Sequence, residues 1–155
     1  MTFHSGAISI LTCAVIGISS VGAEAPQGRA ATVEKLPMTG LPPAKIFPGL
    51  CLVKYRVSTM SPQCQAFFDQ ALGYFYSYVW MEAARSFETA LRHDPDCAMA
   101  WWGLSRAQEH PPNHGDATKS AKKAYDLREK ASHREQQLIL ARMQEKALLP
   151  NVGDA

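Results

Sequence analysis

Between Ser61 and Leu104 large and small residues fall in a fixed order, and that order leaves the chain few ways to fold. The stretch reads SPQCQAFFDQALGYFYSYVWMEAARSFETALRHDPDCAMAWWGL. Phe67, Ala71 and Tyr74 are followed by Ala83, Phe87 and Ala90, and then by Pro95. Apolar residues three or four apart lie along one side of a helix. The spacing therefore predicts a helix, a short turn, a second helix, an Asp-Pro break and the start of a third. Bulky side chains fill the space between two antiparallel helices, and alanine is needed where the backbones come closest. Pro95 cannot continue the second helix, but it suits the first turn of a third, with Asp94 as its cap.

Other punctuation extends the pattern. Ser61-Pro62 supplies a cap and a first helical residue. Phe67, Ala71, Tyr74 and Tyr78 form one stripe and Phe68, Leu72, Phe75 and Val79 a second, so the first helix is expected to be touched on two sides. The second helix is expected from about Met81 to His93, with Glu88 and Arg92 paired on its outer side. A third, from about Pro95 to Glu109, contains Gly103, which allows close approach of the preceding helix. The fourth, from about Asp116 to Lys130, places Ala117, Ala121 and Ala124 inside and Lys119, Lys122 and Lys123 outside. Ser132-His133-Arg134-Glu135 is a capping-box pattern that starts a terminal helix over about 133–149, and Pro150 opens a tail over 150–155.

The spacing resembles the tetratricopeptide repeat, a helix–turn–helix unit of about 34 residues. Phe67 stands where that family usually has Trp, Ala71 at its small-residue site and Tyr74 at its first-helix aromatic. Ala83, Phe87, Ala90 and Pro95 take the second-helix and closing sites. Gln70 departs from the family's Leu. One repeat length on, Trp101, Ser105, Ala117 and Ala124 follow Phe67, Ala71, Ala83 and Ala90, and Leu104 restores the missing Leu. Repeats are thus expected at about 64–97 and 98–131 of a helical domain over 61–149. The resemblance implies an all-α fold of antiparallel hairpins stacked as a short right-handed superhelix, with an extended N-terminal segment. It also implies a concave groove for a protein or peptide, lined by Gln65, Phe68, Leu72, Phe75, Tyr76, Met99, Trp102, Arg106 and Glu109. Within the family, DPDCAMAWWGL is similar to secreted bacterial members.

Residues 1–23 contain no Asp, Glu, Lys or Arg, and Ala7–Val21 has the length of a signal-peptide apolar core. Val21-Gly22-Ala23 offers cleavage after Ala23, so the mature protein is expected in the periplasm or outside the cell, without a stable membrane anchor; an uncleaved anchor is the rival reading. Residues 24–60 read as a linker. Pro26, Pro37, Pro42, Pro43 and Pro48 deny it both helix and ladder, and LCLVKYRV (50–57) is expected to dock only loosely on the first helix pair.

A net charge of +2 gives no argument for nucleic acid. No Gly-x-Ser-x-Gly, Cys-x-x-Cys-His, HExxH or Gly-rich phosphate loop is present, so neither catalysis nor a cofactor is expected. In an oxidising compartment Cys51, Cys64 and Cys97 have pairing options, Cys51–Cys64 being the preferred bridge, and three free thiols the alternative. The reading that emerges is an exported, non-catalytic module for protein–protein contact, with self-association open to it. Two alternatives stand beside it: a metal- or redox-linked protein using these cysteines with His93, His110, His114 and His133, and a truncated relative of a longer array. About three repeats are usually needed for a stable array, and this chain has two and a helix.

Overall fold

A computed structural model describes residues 34–50, 54–111 and 115–150. The expected signal segment lies outside them. The described residues form five α-helices and no strand: α1 (Pro62–Tyr76), α2 (Trp80–His93), α3 (Ala98–Ala107), α4 (Ala117–Asp126) and α5 (His133–Glu145), with a 3-10 turn at Arg128–Lys130. Each helix packs on the next in the chain, and α3 also touches α1 and α5.

The helix starts follow the local chemistry. Ser61 caps α1 by accepting from the Cys64 N–H at 3.1 Å, with Pro62 as first helical residue. Asp116 caps α4 through the Lys119 N–H. Ser132 and Glu135 form the full capping box that starts α5. The third helix starts later than its proline suggested. Pro95 is exposed in a turn, Cys97 is the N-cap of α3, and Asp94 ends α2. The Asp94 side chain accepts instead from the Asp96 N–H and from Thr59 Oγ1.

The core follows the large–small order. Ala71, Ala83 and Ala90 are fully buried between α1 and α2, where Phe68 and Phe87 meet edge to face at 5.5 Å. Gly103 brings α3 onto Phe87. A Cβ there would stand 2.7 Å from Phe87 Cδ1, which the ring leaves no room for. Leu104, Met99 and Ile139 carry the core through α3 to α5. Arg142 is only 4% exposed, and it pins α5 to α3. Its Nε donates to Ser105 Oγ at 3.0 Å, one terminal nitrogen donates to the Ser105 carbonyl, and Glu109 and Glu145 carry the opposing charge.

The segment before α1 is more tightly bound than a linker. Leu36, Ala44 and Val57 are buried in the common core. With no strand to pair with, the backbone of this strap bonds to side chains. Glu88, read as an exposed partner of Arg92, is 1% exposed and accepts from the Met38 and Thr39 N–H groups at 2.5 and 2.8 Å. Arg92 pairs with Glu34. Thr89 Oγ1 accepts from the Ala44 N–H. Gln70 accepts from the Phe47 N–H at 2.8 Å and donates to the Lys45 carbonyl at 2.9 Å. Gln65 does the same for the Val57 N–H and the Tyr55 carbonyl. An amide side chain offers both N–H donors and a carbonyl acceptor, as a neighbouring strand would, so these strap groups are paired without a sheet.

Candidate interaction surface

The groove that the repeat resemblance implies is occupied by the chain itself. Phe68, Leu72 and Met99 are buried. Gln65 is committed to the strap, and Tyr55 lies over Phe68 with ring centroids 6.3 Å apart. Trp102 Nε1 donates to the Leu138 carbonyl of α5 at 3.1 Å. Arg106 reaches Glu145, and Glu109 takes both Arg142 and Lys146. Between Leu72, Phe75, Phe87, Trp102 and Arg106 only a pit of 10 Å³ remains, room for at most one water. The strap and α5 fill the face at which an open array would hold its ligand.

Of the nine groove residues, Tyr76 and Glu109 are exposed, and Tyr76, at 63%, belongs to a different surface. At the α1–α2 turn, Tyr76, Tyr78, Val79 and Met81 are all exposed, Tyr78 by 78%. Tyr78 packs edge-on to Trp80 at 5.4 Å, Trp80 stacks on His110 at 3.8 Å, and Phe75 meets both Tyr76 and Trp80 edge to face. The Arg106 guanidinium stands 5.9 Å from the Phe75 ring centroid. The cluster is therefore ordered from beneath and apolar on top.

Its geometry is set by the end of α1. Ser77 is the C-cap, the Tyr78 N–H bonds to the Phe75 carbonyl at 3.2 Å, and the Val79 N–H reaches back to Tyr74 at 2.9 Å. This is the two-bond helix ending in which the residue after the cap takes the left-handed conformation, normally glycine. Here it is Tyr78, with φ 63°. A second such ending closes α5, with Ala147 at φ 53° and bonds from Ala147 to Gln144 and from Leu148 to Met143. Left-handed backbone at a residue with a Cβ costs about 1–2 kcal/mol.

Two further depressions flank the helices. One, of 730 Å³, lies between Pro37 and Met38 of the strap, Trp101, and Lys119 and Lys123 of α4. The other, of 890 Å³, lies between Thr59, His93, Asp94, Asp96, Lys130 and Glu135. Several of its charged groups are already engaged. Lys130 pairs with Asp96 at 2.6 Å and holds that carboxyl below its ordinary range. Burial works against ionisation of Glu135, but hydrogen bonds from Ser58 and Ser132 outweigh it and keep its pKa low.

The remaining candidates fall apart spatially. His93 stacks on Phe67 at 5.4 Å, His110 on Trp80, and His133 is exposed at the start of α5. His114 and Cys51 lie outside the described residues, so the Cys51–Cys64 bridge is not among the contacts seen. Among the described residues no three His, Cys, Asp or Glu side chains are grouped to hold a metal ion, and no helix is long and apolar enough to cross a membrane. Cys64 and Cys97 are buried free thiols. The sequence signals for what was missed were small: glutamines at apolar positions of a helix, and a tyrosine where a helix ending wants glycine. No family model, curated protein or solved structure matches the chain.

Proposed function

We propose that this protein is an exported, non-catalytic helical-repeat module of the tetratricopeptide type that acts by binding another protein. The exposed aromatic cluster at the α1–α2 turn is its contact surface. The observation that carries the reading is Tyr78. It is a large aromatic residue, held in a costly backbone conformation and presented to solvent beside Tyr76, Val79 and Met81. Backbone strain at an exposed position marks a site selected for something other than stability. Clustered exposed aromatics are the residues that anchor protein interfaces. The stacked Trp80–His110 pair and Phe75 hold the cluster in shape, which lowers the entropy lost on binding.

The large–small spacing supports the repeat assignment, and the charge-free first 23 residues support export. Self-association through the same cluster is the variant in which the partner is a second copy. Crosslinking in the native cell, with the full-length chain and its Tyr76→Ser/Tyr78→Ser variant side by side, tests the proposal. A discrete crosslinked protein, lost in the variant while the helical content is unchanged, is the expected result. A crosslinking pattern indifferent to both tyrosines would count against the cluster, and no crosslinked species from either chain would count against a binding role.

A further inference from the structure

We infer that the depression of 730 Å³ between the strap, α3 and α4 binds a small molecule with a flat apolar body and one anionic head, an aromatic carboxylate being the simplest such ligand. Its size is that of a small-molecule site, for which about 300–1,000 Å³ is usual. Its surface is mainly apolar, with Pro37 and Met38 contributed by the strap and the Trp101 indole by α3. These walls are already fixed. Trp101 Nε1 donates to the Pro95 carbonyl at 2.8 Å, which sets the ring, and the Met38 N–H is held by buried Glu88. Two polar residues of the wall, Gln108 and Ser120, are buried and satisfy each other, the Ser120 hydroxyl donating to Gln108 Oε1 at 2.7 Å. An apolar body placed over them leaves that bond intact, and a site that needs no rearrangement loses less on binding.

The charge on the remaining wall selects the head. Helix α4 contributes Lys119, Lys122 and Lys123, all exposed, and at spacings of three and four residues Lys119 neighbours both of the others on the helix surface. Like charges at that spacing repel one another. Lys130 and Lys146 are matched to Asp96 and Glu109, but no ion pair among the described residues takes any of these three. Lys123 acts on Asp96 only through space, since that carboxylate is bonded to Lys130. The wall also carries two carboxylates, Asp116 and Asp126, at opposite ends of α4. Asp116 is the N-cap, and one of its oxygens accepts from the Lys119 N–H at 2.9 Å. Three lysines against two aspartates leave positive charge in excess, concentrated in the middle turns of α4. A carboxylate placed there relieves the repulsion between the lysines while the rest of the ligand lies on Trp101 and Met38.

The inference does not depend on a protein partner or on the α1–α2 turn. Titration of the isotope-labelled full-length chain with naphthoate, followed by NMR, tests it, with naphthamide as the neutral isostere. The expected result is one saturable site that shifts the Trp101 indole N–H and the backbone amides of α4, with naphthamide bound about tenfold more weakly. Lys119→Ala/Lys123→Ala, at two exposed positions, should weaken naphthoate about tenfold and leave naphthamide unchanged. Retained naphthamide binding shows that the variant still folds. Lys54→Ala, exposed on the strap and outside the depression, should change neither. Equal binding of acid and amide, indifference of naphthoate to the lysine pair, or shifts centred on Tyr78 and Trp80 would overturn the inference, as would the lack of any saturable binding to the unsubstituted chain.

Discussion

Gln70 illustrates what a single side chain decides in this molecule. By repeat spacing it occupies a site for leucine, and only 4% of it is exposed. Its amide is fully used, on the Phe47 N–H, the Lys45 carbonyl and Ser86 Oγ. Gln70→Leu, the residue that the repeat resemblance would put there, should therefore destabilise the protein by about 1–3 kcal/mol, because the strap's buried polar groups lose their partner. Urea unfolding of the two chains at equal concentration measures it. Tyr78 works in the opposite direction. Tyr78→Gly removes left-handed strain and should stabilise by about 1 kcal/mol, while crosslinking to a partner falls. A variant that gained stability and crosslinked as well as the parent would separate the strain from the function.

At the scale of elements, what could be read from sequence was local. The caps of α1 and α5, the alanines between α1 and α2, and the use of Gly103 are set by residues within a few turns of one another. The errors have a shared origin. Asp94 and Pro95 were read as the start of α3, whereas Asp94 ends α2 and holds Thr59, a residue far back in the chain. Glu88 was read as paired with Arg92 on the outer side of the helix, but a distant backbone segment covers it. Periodicity reports which side of a helix is apolar. It does not report that a buried carboxylate will be satisfied by main-chain N–H groups from another part of the sequence. The burial of Phe68, Leu72 and Met99 was out of reach for the same reason, since it depends on tertiary contacts.

Glu135 carries the pH dependence of α5. Its folded pKa is depressed, so its contribution is present above the ordinary glutamate value, near 4.5, and is lost as pH falls through the lower folded value. Glu109, held low by Lys146 and Arg142 against its own burial, acts in the same direction on the other end of the helix. Stability should therefore decline below about pH 4.5, and the decline should be shallower in Glu135→Gln than in the parent. Thermal unfolding followed by circular dichroism from pH 7 to pH 3 gives both slopes. Equal slopes would remove Glu135 from the account.

For the molecule as a whole, the strap and α5 cover apolar faces that the helices α1 to α4 would otherwise leave open. A short array leaves apolar faces open at its ends and along its groove. Here Leu36, Ala44 and Val57 cover one region, and Ile139 and Met143 another. Removing residues 24–58 should therefore abolish a cooperative melt rather than trim a tail, and should increase binding of a hydrophobic dye. A truncated chain with a sharp transition close to the parent's would return the segment to the status of a linker.

The strap also bears on when the chain can finish folding. Its partners lie far downstream: Met38 waits for Glu88, and Ser58 waits for Glu135, 77 residues later. As the protein emerges from the ribosome, amino end first, most of the strap can close once α1 and α2 have been made, but its Ser58 end has no partner until α5 follows. Helices α1 and α2 can pair early and take up the strap, but the side of the core that α5 covers stays open until α5 is made. Closure of that end is thus delayed relative to the rest of the strap, and the interval before it is when a holding chaperone would find the most to bind.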